Sequence, residues 1–271
     1  SDPKEVLAVV PELSDAARDH SEDMDNRDFF AHTNPDGDSP GDRALDAGHG
    51  SRYVGENIGW RGSTFTSFDE QTRAELHHEN LWASPGHQQN MLRENWSEIG
   101  VGYDYGSYLG YNGSTFVTEK FSDRGDTYLT GVVIDDADGD GFYDLGEGQG
   151  DVRITAYKGD NVYTTATWDS GGYTMALDPG TYRVVFEGGD LNTPYETTVV
   201  MGTENVKLDV IEGSATLSSA PSPTDDAASA TMAYIENEPL LSDLLPDTGE
   251  PGWEDLPSEE DFEDETGISL F

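Results

Sequence analysis

The chain has 271 residues, no cysteine, 34% hydrophobic residues and a formal charge of −41 from 55 acidic and 14 basic side chains. Lack of cysteine excludes disulfide frameworks, thiol nucleophiles and thiolate zinc sites. The acidity makes nucleic acid and anionic lipid poor partners, because binding to either rests on Lys and Arg neutralising phosphate; divalent cations are the favoured ones. No apolar run reaches the roughly eighteen residues a membrane helix needs, so no transmembrane segment is expected. Ser1-Asp-Pro-Lys-Glu5 lacks the regions of a signal peptide, which leaves open a leader already removed.

Three compositional zones follow one another. In residues 1–124, which hold all six histidines, Glu12–Phe30 has helical spacing at Leu13, Ala16, Ala17, Met24 and Phe29. A second helix is expected from a Ser67/Glu70 capping box to Trp82, stopped by Ser84-Pro-Gly86. Ile99–Tyr103 and Thr115–Phe121 read as strands. The zone is therefore expected to be α+β.

Residues 127–213 change character. Alternating runs at 128–134, 152–157, 162–168, 173–177, 182–186, 196–200 and 206–211 are separated by Gly, Asp, Asn and Pro turns, the pattern of an all-β sandwich. Residues 214–271 hold fifteen acids and no basic residue, which predicts a disordered acidic tail. Those fifteen account for only part of −41, so the folded surface is acidic too. That points to high salt, seawater or a calcium-rich exterior, where screening weakens self-repulsion.

Between the first two strands of the second zone, Asp136-Ala-Asp138-Gly-Asp140-Gly-Phe142-Tyr-Asp144-Leu-Gly-Glu147 fits a twelve-position calcium loop. Carboxylates occupy positions 1, 3, 5, 9 and 12, Gly141 supplies the sharp turn, and Phe142 would offer its carbonyl. A strand precedes the loop and glycines follow it, so helices do not flank it and a structural Ca2+ is expected. The alternative is a polar interstrand loop. Together with Gly131-Val-Val-Ile134, Gly146-Glu-Gly148, Thr165–Tyr173 and Pro179-Gly-Thr-Tyr182, this stretch resembles the Sdr-type B repeats. These are calcium-stabilised β-sandwich modules of bacterial surface proteins. The resemblance implies a stiffened stalk or spacer. Asp169 is read as a turn residue rather than an additional ligand.

In the first zone His32, Glu56 and His87 stand out, each within a distinctive phrase: Phe29-Phe-Ala-His32-Thr-Asn-Pro-Asp-Gly37, Gly55-Glu-Asn-Ile58, and Trp82-Ala-Ser-Pro-Gly-His87-Gln-Gln-Asn-Met-Leu92 followed by Ile99-Gly-Val-Gly-Tyr103. Two imidazoles and a carboxylate can hold Zn2+ with a position open for water; hydrogen-bonded structural histidines are the plainer reading. His77-His-Glu79 does not begin a His-Glu-x-x-His motif, since Trp82 stands where the second His belongs; packing against Ala74, Leu81 and Trp82 is the expectation for His78.

The three phrases resemble the bacterial branch of the CAP superfamily (cysteine-rich secretory proteins, antigen 5 and pathogenesis-related 1 proteins; the SCP domain), over about residues 11–121. The resemblance implies an α-β-α sandwich with a cleft where His32, Glu56 and His87 meet. It further implies a divalent metal, often zinc, in that cleft, a lipid or peptide ligand, and an extracellular or cell-surface location. A second cleft glutamate expected just after Trp82 is replaced by Ser84-Pro-Gly86, with Glu75 or Glu79 as substitutes, and the usual opening helix is short. With no Gly-x-Ser-x-Gly elbow and no cysteine, covalent acyl transfer is unsupported. Three readings follow: a non-enzymatic binding module on a calcium-stabilised spacer, which is favoured, a metal-dependent hydrolase using His32, Glu56 and His87, and a structural surface protein with a vestigial cleft. Leu245-Pro-Asp-Thr-Gly249 matches a sortase signal, but an acidic stretch follows it instead of an apolar one, so the match is read as coincidental.

Overall fold

The computed structural model describes residues 4–63 and 70–212. The expected tail, the sortase-like match and the Ser67 cap lie outside them.

The first sheet is built from β1 (Ala8–Val9), β2 (Val54–Arg61), β3 (Glu98–Tyr108) and β4 (Tyr111–Ser122), in the order β1-β3-β4-β2. β1 runs parallel to β3, and the other pairs are antiparallel. Helix α1 (Pro11–Asn26) covers one face, with Leu13, Ala16, Ala17 and Met24 buried. It lies so close that a Cβ on Gly100 or Gly102 would stand 2.2 or 2.1 Å from its backbone. Glycine at those two strand positions is what lets the helix dock. The helix ends at Asn26, short of the expected Phe30, because Asp28 takes a left-handed conformation that turns the chain away.

A short helix α2 (Pro40–Asp46) follows, started by a Ser39/Asp42 capping box that the sequence reading missed. Helix α3 (Glu70–Ala83) covers the opposite sheet face, and α4 (Pro85–Met91) follows it after the break at Ser84. Helix, sheet and helix thus form three layers of mixed structure. On α3 it is His77 that is buried, bonding Thr115 Oγ1 at 2.7 Å, while His78 is exposed and stacks on Trp82. The packing role expected of His78 belongs to its neighbour, because α3 is rotated by one position from that reading.

Among its described residues the second zone has strands and loops but no helix. β5 (Tyr128–Asp135), β6 (Arg153–Lys158), β7 (Asn161–Ala166), β8 (Gly172–Ala176), β9 (Gly180–Glu187), β10 (Tyr195–Met201), β11 (Val206–Lys207) and β12 (Val210–Glu212) occupy the seven alternating runs, the last of them split in two. One sheet has the order β10-β9-β6-β7; in the other β5 pairs with β8, β11 and β12. Leu129, Val133, Ile154, Tyr173, Tyr182, Val184 and Phe186 belong to one apolar cluster drawn from both sheets.

The two zones share buried side chains. Tyr128 packs with Ala8, Val10, Leu13 and Ala44, and its hydroxyl donates to Glu98 Oε1 at 2.5 Å. Glu98 also accepts from Arg124 at 2.8 Å and meets His49 Nε2 at 2.8 Å. The Asn205 side chain donates to the carbonyls of Val6 and Ser97. Among the described residues, no helix is long and apolar enough to cross a membrane.

Candidate functional site

Strand alternation puts Glu56 on the α1 face of β2 and Asn57 on the other face. Across the ladder, Glu56 pairs with Lys120 and Asn57 with Glu119. Each side of the sheet therefore carries its own polar group, and the two differ.

On the α1 face, Glu56 is buried and four basic side chains converge on it. Lys120 Nζ donates to Oε2 at 2.5 Å; Arg43 Nη2 donates to Oε1 at 3.0 Å and Oε2 at 2.8 Å. His32 Nδ1 meets Oε1 at 2.9 Å, and His20 Nε2 lies 3.8 Å from the same oxygen. The local chain explains the convergence. Asn34 Oδ1 accepts from the amides of Asp36 and Asp38, folding the loop that carries His32. The capping box aims α2 so that Arg43 also donates to the Asp38 carbonyl at 2.7 Å.

Burial alone would raise the Glu56 carboxyl; Lys120, His32 and Arg43 override it and hold the group well below the usual carboxylate range. Burial pushes His20 down to about 4, against the pull of Glu56, so that ring is neutral at pH 7. His20 Nε2 faces the Ala31 carbonyl at 3.0 Å, and a carbonyl only accepts, so Nε2 carries the proton. His32 is the exposed member, its side chain 48% accessible. With Nδ1–H given to Glu56, its Nε2 is the face a ligand or proton meets.

His87 lies elsewhere. It stands on α4, where its carbonyl accepts from Asn57 Nδ2 at 3.2 Å. The structure thus brings together His32 and Glu56 of the expected three and leaves His87 on the side that Asn57 faces. Among the described residues, the only groups of three acidic or histidine side chains with ligand atoms within 4.8 Å of one another lie in the 136–147 loop. Arg43 and Lys120 were missed in the sequence, although Lys120 gave a signal: it falls on the inward alternation of β4 with Phe116 and Thr118.

On the other face, Asn57 Nδ2 also donates to Glu119 Oε2 at 3.0 Å; Asn90 Nδ2 donates to Asn57 Oδ1 at 3.0 Å, and Trp96 Nε1 to Asn90 Oδ1 at 3.3 Å.

The acidic loop lies between β5 and β6. Its carboxylates form two trios sharing Asp138: Asp136, Asp138 and Glu147, and Asp138, Asp140 and Asp144. Backbone amides preorganise them. Asp136 accepts from Gly139 and Gly141, and Glu147 from Ala137 and Asp144. Gly139 and Gly141 both take positive φ, near 80°. Lost hydration and then the charges of Asp140, Asp138, Glu147 and Asp136 raise the Asp144 carboxyl above its ordinary range. Phe142, expected to offer its carbonyl, is 61% exposed.

Comparison with known proteins locates the first zone. Residues 4–121 match the cysteine-rich secretory protein family, CAP. The uncharacterized protein YkwD of Bacillus subtilis (strain 168) is 34% identical over 97 residues, 36% of this chain and 34% of that protein. The chain thus spans about a third of the length of this curated relative. Among solved structures, an extracellular protein containing a SCP domain from Bacillus anthracis is 27% identical, with a TM-score of 0.34 over 45% of this chain and 35% of that one. An outer surface protein from Borrelia burgdorferi is 14% identical, with a TM-score of 0.33 over 45% of this chain and 80% of that one. Over residues 4–121, then, this chain is similar to the CAP/SCP domain.

Proposed function

We propose that this chain is an extracellular or cell-surface binding module, in which a CAP domain presents a ligand site at His32 beside a calcium-stabilised β-sandwich that serves as a spacer. The observation that carries the binding reading is the state of Glu56. Lys120 and Arg43 already neutralise it, so it orients His32 instead of serving as a free base or an open metal ligand. An imidazole held in one tautomer at the mouth of a buried charge cluster suits recognition of a lipid head or a peptide group by hydrogen bonding. An unbiased lipid and peptide binding screen tests this. Binding that disappears in His32→Ala and persists in His87→Ala supports it; ligands bound equally by wild type and His32→Ala overturn it.

The calcium part rests on the two carboxylate trios and on the raised Asp144. Asp136, Asp138, Asp140, Asp144, Glu147 and the Phe142 carbonyl would hold the ion, which supplies the positive charge that no described basic side chain brings to the loop. An acidic surface and a loop of this kind suit a calcium-rich exterior, and this is what supports the proposed location.

One observation favours a second reading. The Glu56–His32 hydrogen bond is the arrangement in which a carboxylate supports a metal-ligating imidazole from behind. Under it, His32 and His87 would hold zinc, with water activation for hydrolysis as the chemistry supplied. Among the described residues Glu56 is bonded to His32, and His87 is tied through its carbonyl to Asn57. Zinc calorimetry with His32→Ala and His87→Ala decides: uptake lost in both variants favours this reading, and no uptake by the wild type removes it.

A further inference from the structure

The sheet face turned away from α1 carries a row of three side chains between α3 and Trp96. Val101, Glu119 and Asn57 stand directly opposite one another across β3, β4 and β2, and residues paired in this way point to one face. On one side α3 covers the next row: His77 Nδ1 and Leu81 lie 3.1 and 3.7 Å from where a Cβ on Gly59 would be. On the other side Trp96 stacks on Phe121 with 6.5 Å between ring centroids and reaches within 2.8 Å of the Cβ position of Gly55. Asn57, at one end of the row, is tied to the His87 carbonyl and Asn90. Val101, at the other end, is 47% exposed.

Between them sits Glu119, 7% exposed. Among the described residues its one hydrogen bond comes from Asn57 to Oε2, and Oε1 receives none. Burial holds this carboxyl above its ordinary range, while the Asn57 bond and the nearby His78 pull the other way. A carboxylate has about four lone-pair sites, and burying it with a single donor is costly. Glu56 shows what compensation looks like on the other face of the same sheet: two cations and an imidazole. Glu119 has the burial without the cation.

We propose that the row of Val101, Glu119 and Asn57 binds an alkylammonium group. Glu119 Oε1 accepts the N–H and balances the charge, and the alkyl stem lies along Val101. Two sources share this chemistry, a lysine side chain and the free amino terminus of a peptide. The site lies on the sheet face opposite His32 and does not depend on the ligand proposed there.

The test is titration of the full chain with n-butylammonium, followed by amide NMR. Saturable shifts are expected at Val101, Asn57 and Glu119, weakened by at least about tenfold in Glu119→Gln and unchanged in His32→Ala. Nα-acetyl-lysine amide and a lysine-free peptide with an open amino terminus separate the two sources. Val101→Arg is the second variant, since at this exposed position it brings a tethered guanidinium to Glu119 with little risk to folding. It should abolish n-butylammonium binding without lowering the melting temperature. No saturation in the wild type, or equal binding by Glu119→Gln or Val101→Arg, overturns the proposal.

Discussion

The Glu56 site and the 136–147 loop both crowd charge into a small space, and the chain treats them in opposite ways. Around Glu56 the fold supplies its own cations, and the carboxyl is held below its ordinary range. In the loop five acids stand together, and the Asp144 carboxyl is raised. In the first cluster the carboxylate is countered by the chain's own Lys120 and Arg43. The second is preorganised by backbone amides and glycines but not balanced by any described basic side chain, which is why an external cation is proposed for it. An acidic composition alone did not distinguish the two; the placement of two basic side chains did.

The largest expected effect breaks the first cluster. Glu56→Ala leaves Lys120 and Arg43 buried without their carboxylate, and removing one partner of a buried pair costs about 3–5 kcal/mol. Denaturant unfolding checks this. Adding Lys120→Met to Glu56→Ala should recover part of the loss, because one of the two uncompensated charges is then gone. A double variant no more stable than the single one would show that the cations are held by something other than Glu56.

Next is the loop. Calcium at a hundredfold excess over its dissociation constant should stabilise the chain by about 2.7 kcal/mol. Chelator should remove this increment, and Asp138→Ala, which breaks both trios, should abolish the response. Substitution at Glu56 should leave it in place.

The pH responses should differ in sign. The stabilisation by Glu56 is fully present above its unfolded value near 4.5 and is lost as pH falls through its lowered folded value. Asp144 runs the other way: its folded value lies above the ordinary 3.8, so protonation favours the folded loop, and that preference fades as pH rises through the raised value. In the calcium-free protein, acid should therefore weaken the first zone while relieving the loop. Tryptophan fluorescence of a Trp168→Phe/Trp253→Phe variant, which leaves Trp60, Trp82 and Trp96 to report on the first zone, separates the two. The smallest effect is expected for His32→Ala, whose exposed ring contributes at most about 1 kcal/mol to stability. A larger loss would make His32 a structural group first.

Much of this was legible in the sequence, for physical reasons. The alternating runs of 127–213 predicted strands because each half-buried strand repeats every two residues. Ser84-Pro-Gly86 marked a helix end because proline cannot continue the backbone ladder. The phrases around His32 and Glu56 pointed to residues that do meet. What stayed hidden depends on rotation and tertiary approach. Which of His77 and His78 is buried turns on the rotation of α3, a single position that its apolar spacing did not fix. His87 was grouped with His32 by resemblance, whereas α4 packs on the face served by Asn57. Arg43 reaches Glu56 only because a seven-residue helix starts at Ser39. Glu119 gave no signal of its own until β4 was placed between β2 and β3.

The central claim is that the loop is a charge cluster awaiting a cation while Glu56 is not. Calcium calorimetry on the wild type, Asp138→Ala and Glu56→Gln tests it most directly. The account predicts a saturable heat in the wild type, none in Asp138→Ala, and an undiminished one in Glu56→Gln. A flat wild-type titration at millimolar calcium, matched by identical melting with and without chelator, would contradict it.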